Sequence, residues 1–203
     1  MSEGLRERKK AETRRRIADV ATRLFVERGF DSVTVADVAE AANVSKMTVF
    51  NYFPRKEDLL LDRQPERLDA VRRAVREREP GTSVVEALRA HCQELLETGH
   101  PTSGAVAAAG WFFGMVRESP ALRTRWLEQE REIEDALAEV LAEEWDDEPR
   151  ARLVAALLAA ALNTTFRIAV DRILAGRPAT GVRRDQAALI DQAFDLVARG
   201  ADG

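Results

Sequence analysis

Apolar residues recur at spacings of three and four almost throughout this chain, and no stretch alternates apolar with polar between glycine turns. The pattern predicts an all-α protein. Ile17, Val20, Ala21, Leu24 and Phe25 form one stripe, which predicts a helix over about 7–28 ended by Gly29 as a left-handed cap. Thr34 with Asp37 three residues later is a capping-box pattern, so a short second helix runs from there to about Ala41. Asn43 suits the positive φ of a tight turn, and Ser45 caps a third helix ending near Tyr52, where Pro54 closes the unit. Longer helices are expected over about 57–79, 83–98, 103–118, 120–145, 149–175 and 183–199. Ser83 with Glu86, Pro120 and Pro149 mark starts, while Gly176, Pro178 and Gly181 separate the last pair.

On a helical wheel the third helix has two faces. Val49 and Phe53, flanked by Ser45 and Tyr52, point where Phe25, Val35 and Val38 can cover them, and Lys46, Met47, Phe50 and Asn51 take the opposite side. One exposed methionine or phenylalanine alone would be an ordinary surface group. Two short helices joined by a tight turn describe a helix-turn-helix, whose second helix enters the DNA major groove. Lysine then donates to guanine, asparagine pairs with adenine, and Met or Phe meets thymine methyls.

Charge supports this division of the chain. The net charge is −4, yet residues 1–56 hold 12 Lys and Arg against 8 Asp and Glu, leaving 19 against 27 for the rest. A basic head precedes an acidic body. Seven Lys and Arg against three acids in residues 1–16 favour phosphate contact by Arg14 and Arg15 over a merely solvated face, behind a disordered arm from residue 1 to about 6.

The run TVADVAEAANVSKMTVFNYFPRKEDLL, with ATRLFVERGF before it, resembles the DNA-binding head of the tetracycline-repressor (TetR/AcrR) family of bacterial transcriptional regulators. The likeness covers about the first 60 residues, at the spacing Thr34, Ala39, Val44, Ser45, Thr48, Tyr52, Phe53, Lys56. It implies phosphate contacts by Thr34, Tyr52 and Lys56, and base or backbone contacts by Ser45, Lys46 and Thr48. Met47 stands where the family commonly has a small residue, and Phe50 where it has a tyrosine, so both are expected to act by apolar contact. The implied organisation is a helix-turn-helix domain over 1–56 and a helical ligand-binding and dimerisation domain over 57–203.

One such head reads only a few base pairs, so useful affinity calls for a symmetric homodimer on a palindromic operator. Helix 149–175 is apolar nearly all round through Leu162, and helix 183–199 adds Leu189, Ile190 and Phe194. These last two helices are the expected interface, and the resemblance implies a four-helix bundle. Trp111, Phe112 and Met115 lie beside Gly110 and Gly114 and suit either plain core or a cavity wall. His91, Asn163, Phe166 and Arg167 are polar or aromatic groups amid apolar runs that could orient an unknown small-molecule effector. Pro65 in the helix 57–79 is a candidate kink for transmitting the effector to the head.

Other classes fit poorly. His91 and His100 are the two histidines and His91 directly precedes Cys92, the single cysteine, so no nucleophile and base dyad, disulfide framework or zinc spacing can be assembled. No catalytic residue, metal or cofactor is expected. The charged N-terminus carries no secretion signal, and Leu153–Leu162 is half of a membrane span. A cytoplasmic, ligand-responsive repressor without membrane partners is the expectation, with an adaptor bundle as the alternative that leaves the outward face of the third helix unexplained.

Overall fold

The computed structural model describes residues 3–201, and their regular structure is entirely helical. Nine α-helices follow in order: α1 Glu3–Arg28, α2 Val35–Ala41, α3 Lys46–Tyr52, α4 Gln64–Arg76, α5 Val84–Glu97, α6 Ala108–Glu118, α7 Pro120–Ala142, α8 Glu148–Leu174 and α9 Ala179–Ala201. Short 3₁₀ turns occupy Glu57–Leu59 and Pro101–Ser103.

The start and stop chemistry operates as expected in the head. Gly29 ends α1 at φ 81°. The Thr34 hydroxyl accepts from the Asp37 amide at 3.2 Å, while the Asp37 carboxylate accepts from the Thr34 amide at 2.7 Å, closing the capping box of α2. Asn43, at φ 52°, is the one non-glycine residue with positive φ among the described residues. Ser45 Oγ accepts from the Thr48 amide at 3.0 Å and starts α3.

Four expectations give way. α1 reaches back to Glu3 because Leu5, Arg6 and Arg8 are good helix formers, so the loose arm is not found at 3–6, and residues 1 and 2 lie outside the described residues. The helix expected over 57–79 is broken. Proline has no amide hydrogen and its ring collides with the carbonyl four residues back. The chain therefore closes a 3₁₀ turn and restarts at Gln64, placing Pro65 in a first turn, where it does not kink a helix. α6 begins only at Ala108, after Gly104 at φ 73°. Gly181 lies inside α9, which starts at Ala179.

Two compact units result: Met1–Arg63 with Met115–Trp126, and Gln64–Gly114 with Leu127–Gly203. In the first, Ile17, Ala21 and Phe25 of α1 are buried, as are Val38, Val49, Phe53 and Leu59, and so are Val116 and Leu122. The corner between α6 and α7 is fastened there by polar contacts. Ser119 Oγ donates to Asp31 at 3.1 Å, and Arg125 Nε pairs with Asp58 at 2.7 Å with both side chains largely covered. In the second unit Val75, Leu88, Ile133, Leu137, Leu141, Leu158 and Phe194 form one apolar core. α4 is tied along α7 by Arg72–Glu139, Arg76–Glu143 and Arg78–Glu144. α8 is long and apolar enough to cross a membrane by composition, but Ala151, Val154, Ala155, Leu158 and Ala159 are buried within this core.

Candidate nucleic-acid interface and ligand cavity

The outward side of α3 is formed as the wheel predicts. Val49 and Phe53 are fully buried, whereas Met47 and Phe50 are 68% and 47% exposed and Lys46 and Asn51 are exposed. Two large apolar side chains are thus held in solvent on a seven-residue helix, between a lysine and an asparagine. Thr48 is half-buried and its hydroxyl lies 2.8 Å from Ser45 Oγ, so both are committed to the helix start as well as facing outward.

The surrounding cations divide into two kinds. Arg15 is exposed on α1. Arg14 is turned inward: a guanidinium nitrogen donates to the Asp62 carbonyl at 2.6 Å, and the group lies 4.7 Å from the centre of the Phe53 ring. Arg14, expected to contact phosphate, thus has part of its guanidinium engaged within the fold, since helical periodicity turns neighbouring arginines about 100° apart and Arg14 meets the chain that leaves α3. Lys56 sits 4.2 Å over the Phe30 ring, and its partial burial lowers its pKa. Tyr52 is half-buried.

The second unit contains a cavity of about 1060 Å³ walled by α4, α5, α8 and α9, just above the roughly 300–1,000 Å³ of common ligand pockets. His91, Asn163 and Phe166 line it, as expected. Trp111, Phe112, Met115 and Arg167 do not. The helix rotation puts them elsewhere: Arg167 is exposed, and Phe112 packs edge-on between Trp111 and Phe113, whose own ring meets Phe166 at 5.4 Å. Gly110 faces Ile173, where a Cβ would lie in ordinary contact at 3.4 Å.

Among the lining residues that the sequence does not single out are Arg67 and His100. Arg67 lies 5.8 Å from the Phe166 ring centre, and burial pulls its pKa down to about 10 against the carboxylates Glu130 and Glu132. Its position beside Leu68 and Val71 at the edge of an apolar stripe was the available signal. His100 caps the second 3₁₀ turn through its Nδ1, 2.7 Å from Thr102 Oγ1. Burial lowers the pKa of His91 and pushes the Cys92 thiol up to about 12, so both are uncharged at neutral pH.

The family model described as bacterial regulatory proteins, tetR family, matches residues 17–62, the segment that builds this head. The chain is 28% identical over 166 residues to the transcriptional regulator TcmR of Streptomyces glaucescens, covering 77% of this chain and 73% of that protein. It is 33% identical over 129 residues to the transcriptional repressor AcnR of Corynebacterium diphtheriae, covering 63% of each. Thermus thermophilus FadR, a TetR-family repressor solved with lauroyl-CoA, aligns over 92% of this chain and 94% of its own at a TM-score of 0.51 and 28% identity.

The head over residues 17–62 is that of the TetR family. With this head and these relatives, the protein is a DNA-binding transcriptional regulator and not an enzyme. Met47 and Phe50 of its α3 are exposed and not used by its own core.

Proposed function

We propose that this regulator is a homodimeric repressor that two α3 helices seat on a palindromic operator and that a small molecule in the body releases. The reading rests on the solvent-held set Lys46, Met47, Phe50 and Asn51 on a capped helix with no core use for it. Residues 1–56 act as the DNA-binding domain and 57–203 as the ligand-binding and dimerisation domain. Lys46 and Asn51 bond base edges, Met47 and Phe50 contact thymine methyls, and Ser45, Thr48, Thr34, Tyr52, Lys56 and Arg15 meet backbone or phosphate.

A pairing surface is supported by the last two helices. Leu153 and Leu157 of α8 are 68% and 42% exposed and Leu196 of α9 is 66% exposed, apolar area that a second copy would remove from water. An effector site is supported by the cavity, with His91, Asn163 and Phe166 in its wall, and by FadR, which holds lauroyl-CoA. No cofactor, metal or membrane enters this scheme, and the protein works in the cytoplasm.

Fluorescence anisotropy with labelled duplexes from the DNA upstream of its gene, in the presence of unlabelled bulk DNA, tests the reading. One symmetric duplex should be retained about 10³-fold or more above the competitor. Equal affinity for all duplexes would refute it.

A further inference from the structure

Charge is sorted by depth in the cavity of the second unit. Its carboxylates, Glu66, Glu77, Glu79, Glu86 and Glu94, are all exposed at the mouth. The half-buried ionisable side chains in the wall are Arg67, Arg78, His91, Cys92 and His100, Arg73 is exposed, and deeper neighbours such as Leu96, Ile133 and Ile190 are apolar. Arg78 is already paired with Glu144, and Arg67 is balanced by Glu130 and Glu132 on α7. The Cys92 thiol is pushed up to about 12 and stays neutral, which leaves His91, with His100 acting on it, as the group an entering charge works on.

We propose that the cavity takes an amphipathic organic acid, its apolar body on the deep walls and its carboxylate between His91 and His100. This rests on the proposed effector site and names its ligand class. Arg73 of α4 and Glu94 of α5 are the other charges that act on His91, while the α8 and α9 residues in the wall, Asn163, Thr165, Phe166 and Gln186, are uncharged. A cation entering the same wall meets Arg67 and Arg73, and a neutral body leaves His91 as it is. An anion draws a proton onto His91, which burial keeps neutral in the free protein. Binding is consequently coupled to proton uptake, and affinity rises as pH falls toward the free-state pKa of His91.

The test is calorimetric titration of the full-length protein with octanoate, octanol and octyltrimethylammonium, which share an eight-carbon chain and differ in the charge of the head. Octanoate should bind at least tenfold more tightly than either. Its heat should change with the ionisation enthalpy of the buffer, giving net proton uptake at pH 7.5. His91→Gln should abolish that uptake and weaken octanoate at least fivefold while leaving octanol unchanged. Equal or tighter binding of octanol or the ammonium, binding of none, or octanoate binding without proton uptake overturns the proposal. Operator release read in parallel separates the two readings: release by octanol but not octanoate sinks the acid and keeps the regulator, and octanoate binding without release does the reverse.

Discussion

Arg14 and Arg15 are adjacent in α1, and the structure gives them different surroundings, Arg14 half-buried and Arg15 exposed. Arg14→Ala removes a charge-assisted hydrogen bond to the Asp62 carbonyl at 2.6 Å and the contact with the Phe53 ring at 4.7 Å. Such a bond contributes about 1.5–3 kcal/mol and an exposed cation–π contact about 0.5–1. Arg14 is half-buried, so the lower halves apply and the loss is about 2 kcal/mol. For a chain of this size that lowers the melting temperature by about 4–8 °C. Arg15→Ala removes nothing from the fold and should stay within about 0.5 kcal/mol. On operator DNA the order reverses. Each phosphate contact carries a slope of about 0.9 in log K against log salt, so a dimer without Arg15 loses about 1.8 and one without Arg14 loses none. Thermal melts and anisotropy between low and moderate salt measure both quantities. A stable Arg14→Ala protein with a reduced salt slope would refute the assignment.

Three further outcomes follow from particular contacts. Leu153→Glu with Leu157→Glu should convert a sedimenting dimer to a monomer of unchanged helicity, since both side chains are exposed in the single chain; a persistent dimer would move the interface elsewhere. Gly104→Ala should lower stability in urea by at least about 2 kcal/mol, because Gly104 sits at φ 73° and a Cβ would meet the Phe166 carbonyl at 3.0 Å and its ring at 3.1 Å. Asp37 and Glu86 have pKa values lowered by the hydrogen bonds of their capping boxes. Their contribution is thus present above the ordinary values of 3.8 and 4.5 and disappears as pH falls through the lower folded-state values. Acid unfolding of the Asp37→Asn, Glu86→Gln protein should be less steep than that of the natural chain.

Local chemistry was legible in the sequence wherever one or two neighbouring residues decide the outcome. The capping boxes at Thr34 and Ser83, the turn at Asn43 and the stop at Gly29 need only residues within a few positions of each other. The outward side of α3 followed from periodicity alone. What was missed depends on partners distant in sequence. Nothing near Arg14 announces Asp62, 48 residues away. Helix periodicity continued through Pro65 because apolar spacing ignores the lost amide hydrogen. The cavity wall was half legible: His91, Asn163 and Phe166 stand out as interruptions of apolar runs, whereas the aromatic cluster of α6 is arranged ring on ring and does not line the cavity. Whether such a stripe becomes core or cavity is set by how helices pack, which spacing does not encode.

The claim that matters most is that the exposed edge of α3 reads base pairs, and selection from a random duplex library tests it most directly. The natural protein should enrich one two-fold symmetric site, and Met47→Gly, which removes a side chain in solvent, should enrich a different site while melting within a few degrees of it. No enrichment by the natural protein, or an identical site after the substitution, would contradict the account.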